Sequence, residues 1–325
     1  MTSSLPQEAR EAFDRFITCE YTTIDATQQP IVWPVTPFYS QGAETIDVTT
    51  GIGYPKKADD ARSNPHVALL FSDPTGSGIE TGIQVLVQGT ADVDEADLAA
   101  NRERYRRESL EKLPGAKDML PPRWLEGLFG WYFERIYIKV RPERVFVWPA
   151  ADVTEPPEVF GAHVEEVRSG HSEEPREPHA EAAGGALAWD ARIEECGTRH
   201  PTAVLAWLAP DGFPLAARVP VAVDSPARRV RIGAEPAGLP IAEGRACLVA
   251  HAHSPSFTWQ ENFQVRGDLV RDESGLALVP HKLLGGFEMP KESMLARNRR
   301  NFGKSIRFYR IARERRRSRS SSSSS

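Results

Sequence analysis

The sequence predicts a mainly β chain with flanking helices, in which one β unit is written twice. Three observations carry this. Short runs rich in β-branched and aromatic residues, such as Ile46–Thr50 and Val67–Phe71, recur between turn residues. The stretch 150–185 holds nine acidic side chains against two arginines, with four prolines, which is the composition of a linker. Beyond it the second half repeats the order of the first, more loosely.

In order, Pro6–Thr18 reads as a helix with Ala9, Ala12, Phe13, Phe16 and Ile17 as its apolar stripe. Strands follow at about 19–25, 30–38, 45–50, 67–72 and 82–91. Asp94 can cap a charged helix over 95–113, whose alternating Arg and Glu form a solvated face. Trp124, Phe129, Trp131, Tyr132 and Phe133 make 119–133 an aromatic wall packed on the β unit. Arg135–Val140 alternates as a strand, and a last strand ends at Trp148. In the second half, 202–214 parallels 21–30 and 228–233 parallels 45–50. Likewise 245–250 parallels 67–71, Gln264–Gly267 parallels Val87–Gly89, and 305–310 parallels 135–140. The expected domains are 1–149, a linker 150–185, a second copy 186–312, and a disordered Arg/Ser tail 313–325.

The stretch from Glu44 to Asp73 carries the chemistry. A strand ending in Thr49 and Thr50 runs into a loop with Gly51, Gly53 and Pro55, then Lys56 and Lys57 open a short helix stopped by Pro65. Hydroxyls, free backbone N–H groups and two ammonium groups converge at a helix start, which suits a phosphate. The simpler reading is a strand–turn–helix connection with solvated lysines. Opposite this cradle the second half has Glu235 to Glu243 and no lysine, so it is expected to keep the fold without the site.

With Gln29–Tyr39 before the cradle and Ile83–Ala91 after it, residues 15–148 resemble the pyridoxamine 5'-phosphate oxidase-like family, the flavin-binding split β-barrels. The resemblance implies tandem split β-barrels that form a pseudo-dimer within one chain, with FMN, or alternatively a deazaflavin, in the crevice between them. It implies phosphate contacts from Thr49, Thr50, Lys56 and Lys57, and ring surroundings from Trp33, Pro34, Val35, Ser72 and Gln84. Trp259 and Gln264 of the second half would cover the ring. The implied activity is a flavin-dependent oxidoreductase acting on a small molecule, with a deazaflavin-dependent reductase as the alternative. The Arg-Leu-x-x-x-Arg type substrate signature of the true oxidases is missing. A non-catalytic flavin- or haem-binding protein is a further alternative, with His251 or His253 as the axial ligand.

Composition bounds the rest. Net charge of −5 argues against general nucleic-acid binding, although the arginine-rich end could tether weakly to RNA or anionic lipid. Cys19, Cys196 and Cys247 are scattered, with no Cys-x-x-Cys, and the N-terminus is polar. No apolar run reaches membrane-spanning length. A cytoplasmic protein without a metal site is expected, as a monomeric pseudo-dimer or a homodimer. His163, His171 and His179 recur every eight residues, which fits no metal geometry.

Overall fold

Alternating side chains and interrupting turns yield two antiparallel β units. The computed structural model describes residues 5–40, 42–80, 82–120, 126, 129–161, 189–285 and 306–319. The first unit comprises β1 (Cys19–Ile24), β2 (Pro30–Val35), β3 (Ile46–Gly51), β4 (His66–Phe71), β5 (Gln84–Asp94) and β6 (Arg135–Trp148). Their order is β2-β1-β4-β5-β6-β3, with β7 (Glu158–Gly161) paired to β6. The second unit is a closed barrel of β8 (Thr202–Leu208), β9 (Pro214–Asp224), β10 (Arg229–Ile232), β11 (Gly244–His253), β12 (Gln260–Asp272) and β13 (Gly275–Gly285). Taken from β9, its order is β9-β8-β11-β12-β13-β10, the first unit's order with every strand number raised by seven. The expected tandem arrangement is present in the topology.

A shared irregularity marks the two copies. The β5–β6 ladder shifts register at Gln88/Gly89, with Gly89 opposite Pro142. The β12–β13 ladder shifts at Arg266/Gly267, with Gly267 opposite Pro280. A Cβ on Gly89 would run into the Arg141 carbonyl, and one on Gly267 into the Val279 carbonyl. Each bulge therefore requires glycine.

The units differ in closure. Pro34 within β2 and Pro37 after it have no N–H to donate, and Phe38↔Asp47 is the isolated bridge joining that strand to β3. In the second unit β9 and β10 pair over four residues and close the barrel.

Both faces of the first sheet are buried. Cys19, Tyr21, Leu69, Phe71, Val85 and Val87 point into its own core, together with Ala9, Ala12 and Phe13 of α1 (Gln7–Arg15). Ala68, Leu70, Leu86, Phe146 and Trp148, on the opposite face, join one cluster with the interior of the second barrel. The first hairpin tip of each unit is held by the other unit. Gln29 Nε2 donates to the Ala246 carbonyl (2.9 Å), and Phe213 stacks on His66 with ring centroids 4.0 Å apart.

Several expectations are corrected. Residues 306–319 form a helix, so the parallel between 305–310 and 135–140 fails, and β13 is the counterpart of β6. The part of the supposed tail that the structure describes, 313–319, belongs to this helix, whose Ala312 is fully buried. The expected linker begins within the fold, since Glu158–Gly161 pairs with β6. The remainder of it, including His163, His171 and His179, lies outside the described residues, as do Trp124 and residues 320–325. The cap of α3 (Leu98–Lys112) is Asp97, whose carboxylate accepts from the N–H groups of Ala99 and Ala100. Asp94 instead pairs with Lys139 at 2.9 Å. All three cysteines are buried and free. Among the described residues no helix is long and apolar enough to cross a membrane.

Candidate functional site

The expected site residues fall into three neighbourhoods, each with its own partners. The first is the cradle itself. Thr50, at the end of β3, donates its hydroxyl to the Tyr54 carbonyl (2.9 Å) and so fixes the turn into α2 (Lys56–Ser63). Gly51 is required there, because a Cβ would lie 2.8 Å from both the Tyr54 ring and the Trp131 carbonyl. Thr49 is half-buried on the neighbouring position. Lys57 is half-buried, with its ammonium 5.9 Å from the Tyr54 ring centre. Burial, and then the Arg135 guanidinium, push the Lys57 ammonium down to about 8. Among the described residues no carboxylate pairs with it.

Arg135, which sequence reasoning left as an ordinary strand residue, lies beside it and is 4% exposed. Its guanidinium sits between the rings of Tyr105 (3.9 Å) and Tyr132 (4.1 Å) and donates to the Tyr54 hydroxyl (2.8 Å). No signal in the Arg135–Val140 alternation separates this inward arginine from a solvated one.

The second neighbourhood lies between the units. Lys56 is neutralised by Asp60 (2.9 Å), with Asp25 at 3.9 Å. Asp25 lies 4.0 Å from Arg266, which donates to Gln264 (2.8 Å). Gln264, fully buried, donates in turn to the Val32 carbonyl (2.7 Å). Lys56, β2 and Gln264 are thereby linked, with half-buried Trp33 and Pro34 and buried Val35 on the same strand.

The third neighbourhood gathers Ser72 and Gln84. Both are bound to Arg218 of the second unit. Its Nε donates to Ser72 (3.0 Å) and its backbone N–H to Gln84 Oε1 (2.6 Å). Arg218 also pairs with fully buried Glu20 at 2.9 Å, and Ser72 donates to the same carboxylate (2.8 Å). His251 Nε2 lies 2.6 Å from Glu20 and 2.7 Å from Arg218. Burial raises the Asp73 carboxyl, but neighbouring His251 and Arg218 outweigh this and hold it below its ordinary value. His253 Nδ1 meets the Ser254 carbonyl (3.0 Å) and its Nε2 meets Thr18 (3.1 Å). Neither histidine presents an open Nε2, which disfavours the haem alternative. Half-buried Trp259 lies beyond this cluster, where its carbonyl accepts from the Ser254 N–H (3.1 Å). Among the described residues no group of three or more His, Cys, Asp or Glu is arranged to hold a metal.

The counterpart of the cradle carries no helix, and its Glu235 forms an ion pair with Arg271 at 2.5 Å.

No protein-family model and no curated protein matches the chain. Among solved structures it is similar to a putative pyridoxamine 5'-phosphate oxidase from Listeria innocua. That match is 17% identical and covers 44% of this chain and 96% of the other, with a TM-score of 0.32. A pyridoxamine 5'-phosphate oxidase-related, FMN binding protein from Nostoc punctiforme PCC 73102 is 15% identical over 48% of this chain and 90% of its own, with a TM-score of 0.34. A protein named F420 reductase is 18% identical over 43% and 98%, with a TM-score of 0.32. The first two bear the name of the family that residues 15–148 resemble, and each of the three matches covers less than half of this chain.

Proposed function

We propose that the first unit binds a phosphate-bearing flavin, FMN in preference to a deazaflavin, and serves as an oxidoreductase acting on a small molecule. The observation that carries this reading is Lys57. It is a half-buried ammonium at the start of a helix, beside a second buried cation, with no carboxylate partner among the described residues. A phosphate supplies the missing charge, and the first N–H groups of α2 add donors at the same end. Lys56 contributes less than expected, because Asp60 already neutralises it. Thr50 shapes the loop with its hydroxyl instead of offering it to a ligand.

When bound, the flavin supplies hydride or electron transfer. The chain's own part is to bind and orient. Lys57 fixes the phosphate end, and Trp33, Pro34 and Val35 flank the crevice, where Gln264 secures β2 from the second unit. At the other end expected to face the ring, Arg218 would hold Ser72 and Gln84 in place through its guanidinium and its backbone N–H.

The visible absorption spectrum of the purified protein, followed by titration with FMN, tests the reading. Lys57→Ala is expected to weaken FMN binding by about 1.5–3 kcal/mol, the loss of a charge-assisted hydrogen bond. Lys56→Ala is expected to cost less. Equal affinity in wild type and Lys57→Ala would overturn the assignment.

A further inference from the structure

Helix 306–319 carries two separate sets of arginines. The inner set is spent on the first unit. Arg315 pairs with Asp59 (2.9 Å) and Glu95 (3.0 Å), Arg316 with Glu134 (2.8 Å), and Arg319 with Glu95 (3.6 Å). Phe308 packs on Tyr54 and Trp131 with ring centroids 5.6 and 5.2 Å apart, and Ala312 is fully buried. Residues 308, 312, 315, 316 and 319 recur at helical spacing, so one face docks the helix and neutralises the acids beneath it.

The outer set has no such engagement. Arg307, Arg310 and Arg313 are exposed and have no acidic partner among the described residues, and Arg317 is exposed as well. Arg310, Arg313 and Arg317 follow Ile306 at steps of four, three and four residues, which aligns them on one ridge opposite the docked face. Ile306 and Tyr309 lie on the same outer side, 54% and 52% exposed. Glu314, the only acid in 306–319, lies to one side of the ridge. Seven arginines against one glutamate give the helix +6 on a chain whose net charge is −5. The docked face accounts for the helix's place in the fold and leaves the outer arginines to a partner of opposite charge.

We propose that the outer ridge of helix 306–319 binds single-stranded nucleic acid, without sequence preference, through its phosphate backbone. Arg310, Arg313 and Arg317 span about 10 Å at a rise of about 1.5 Å per residue. A stacked strand presents a phosphate about every 3.4 Å, so the ridge matches three in a row. Guanidinium forks pair bidentately with phosphate oxygens. The exposed Tyr309 ring beside them offers a face on which an unpaired base stacks, which a duplex does not present. A lipid surface fits less well. An amphipathic helix enters a bilayer by its apolar face, and here Phe308 and Ala312 already lie against the first unit. The negative remainder of the chain repels a polyanion elsewhere, which directs the strand to this helix.

The test follows the full chain with a fluorescently labelled oligouridine by anisotropy, between about 50 and 200 mM salt. The same oligonucleotide paired with oligoadenosine, and vesicles of equal parts phosphatidylserine and phosphatidylcholine, serve as competitors. Oligouridine is expected to bind more tightly than either. Arg310→Gln/Arg313→Gln/Arg317→Gln leaves the docked face untouched and keeps good helix formers on the ridge. It is expected to weaken binding at least tenfold and to make the slope of log affinity against log salt shallower by about 2, at about 0.7 per phosphate contact. Tyr309→Ala is expected to weaken binding about fivefold or more. Arg107→Gln/Arg141→Gln/Arg228→Gln removes the same charge from exposed positions elsewhere and is expected to change affinity less than twofold.

Absence of oligouridine binding overturns the proposal, as does unchanged affinity in the ridge triple variant or in Tyr309→Ala. Equal weakening by the two triple variants overturns it by showing that net charge alone is read. Tighter binding of the duplex overturns the single-strand assignment, and binding of vesicles in place of oligouridine makes the ridge a membrane contact instead.

Discussion

Glu20 illustrates how far a single side chain is set by its surroundings. It is a carboxylate on β1 with no exposed surface, and Arg218, Ser72 and His251 all converge on it from the other strands. Truncating one member of a buried ion pair strands the other charge, which costs about 3–5 kcal/mol. Arg218→Ala is expected to lose stability near the lower end of that range, since Ser72 and His251 still face the carboxylate. The double variant Glu20→Gln/Arg218→Ala is expected to recover part of the loss, and urea unfolding at neutral pH measures both. A loss below about 1 kcal/mol in the single variant would show that Arg218 is not what stabilises the buried side chain of Glu20. Ser72 and Gln84 were legible in sequence as polar positions bounding β4 and β5. Their partner was not, because Arg218 lies 134 residues beyond Gln84 on a strand whose pattern reads as apolar alternation. Arg135 escaped for a similar reason, since its significance lies in the acids that are not beside it.

Elements were legible where periodicity and punctuation agree. The stripe Ala9, Ala12 and Phe13, the glycine–proline loop before α2 and strands β1 to β5 stand close to where their patterns place them, whereas the two strands read at 135–140 and up to Trp148 are one continuous strand, β6. The paired bulges show what a repeat can carry, since Gly89 and Gly267 mark the same kink in both copies. Gly89→Ala and Gly267→Ala are each expected to destabilise by about 1–3 kcal/mol, the cost of forcing an atom against a neighbouring carbonyl. Chemical denaturation checks this, and a neutral substitution would mean that the bulge relaxes without strain. Helix 306–319 was missed because seven arginines in fourteen residues read as a solvated, disordered segment. Its order comes from tertiary contacts: Phe308 on Tyr54, Ala312 in the first core, and ion pairs from Arg315 and Arg316. A chain ending at Ala312 is expected to lose on the order of 1–2 kcal/mol at low salt, since partly exposed pairs contribute about 0–1 kcal/mol each. The deficit is expected to shrink as salt screens those pairs, and superimposable melting curves at low salt would show that the arginines contribute nothing.

At the scale of the whole molecule, duplication supplies two β units, but the chemistry of the cradle is present in one. The first copy follows β3 with a glycine loop, α2, Lys57 and, across the sheet, Arg135. The second follows β10 with a helix-free segment from Gly233 to Glu243 in which Glu235 is tied to Arg271. A phosphate dianion there would meet two exposed carboxylates and no lysine, so the segment offers no counter-charge like that of Lys57. The second unit has a different task. Ala68, Leu70, Leu86, Phe146 and Trp148 of the first unit are buried in one cluster with its barrel interior, so the outer face of the first sheet is a core face. Removing the second unit would expose that face as a contiguous apolar patch, which promotes self-association. Binding and folding are coupled for the same reason: Gln264 secures β2 and Arg218 secures Ser72 and Gln84 across the same interface. The full chain is expected to take up one FMN, with calorimetric saturation near one per chain. A fragment covering 1–161 is expected to self-associate and bind FMN poorly. Saturation near two would show that the second copy kept a working site, and tight binding by a monomeric fragment would show that its partner unit has no part in the first.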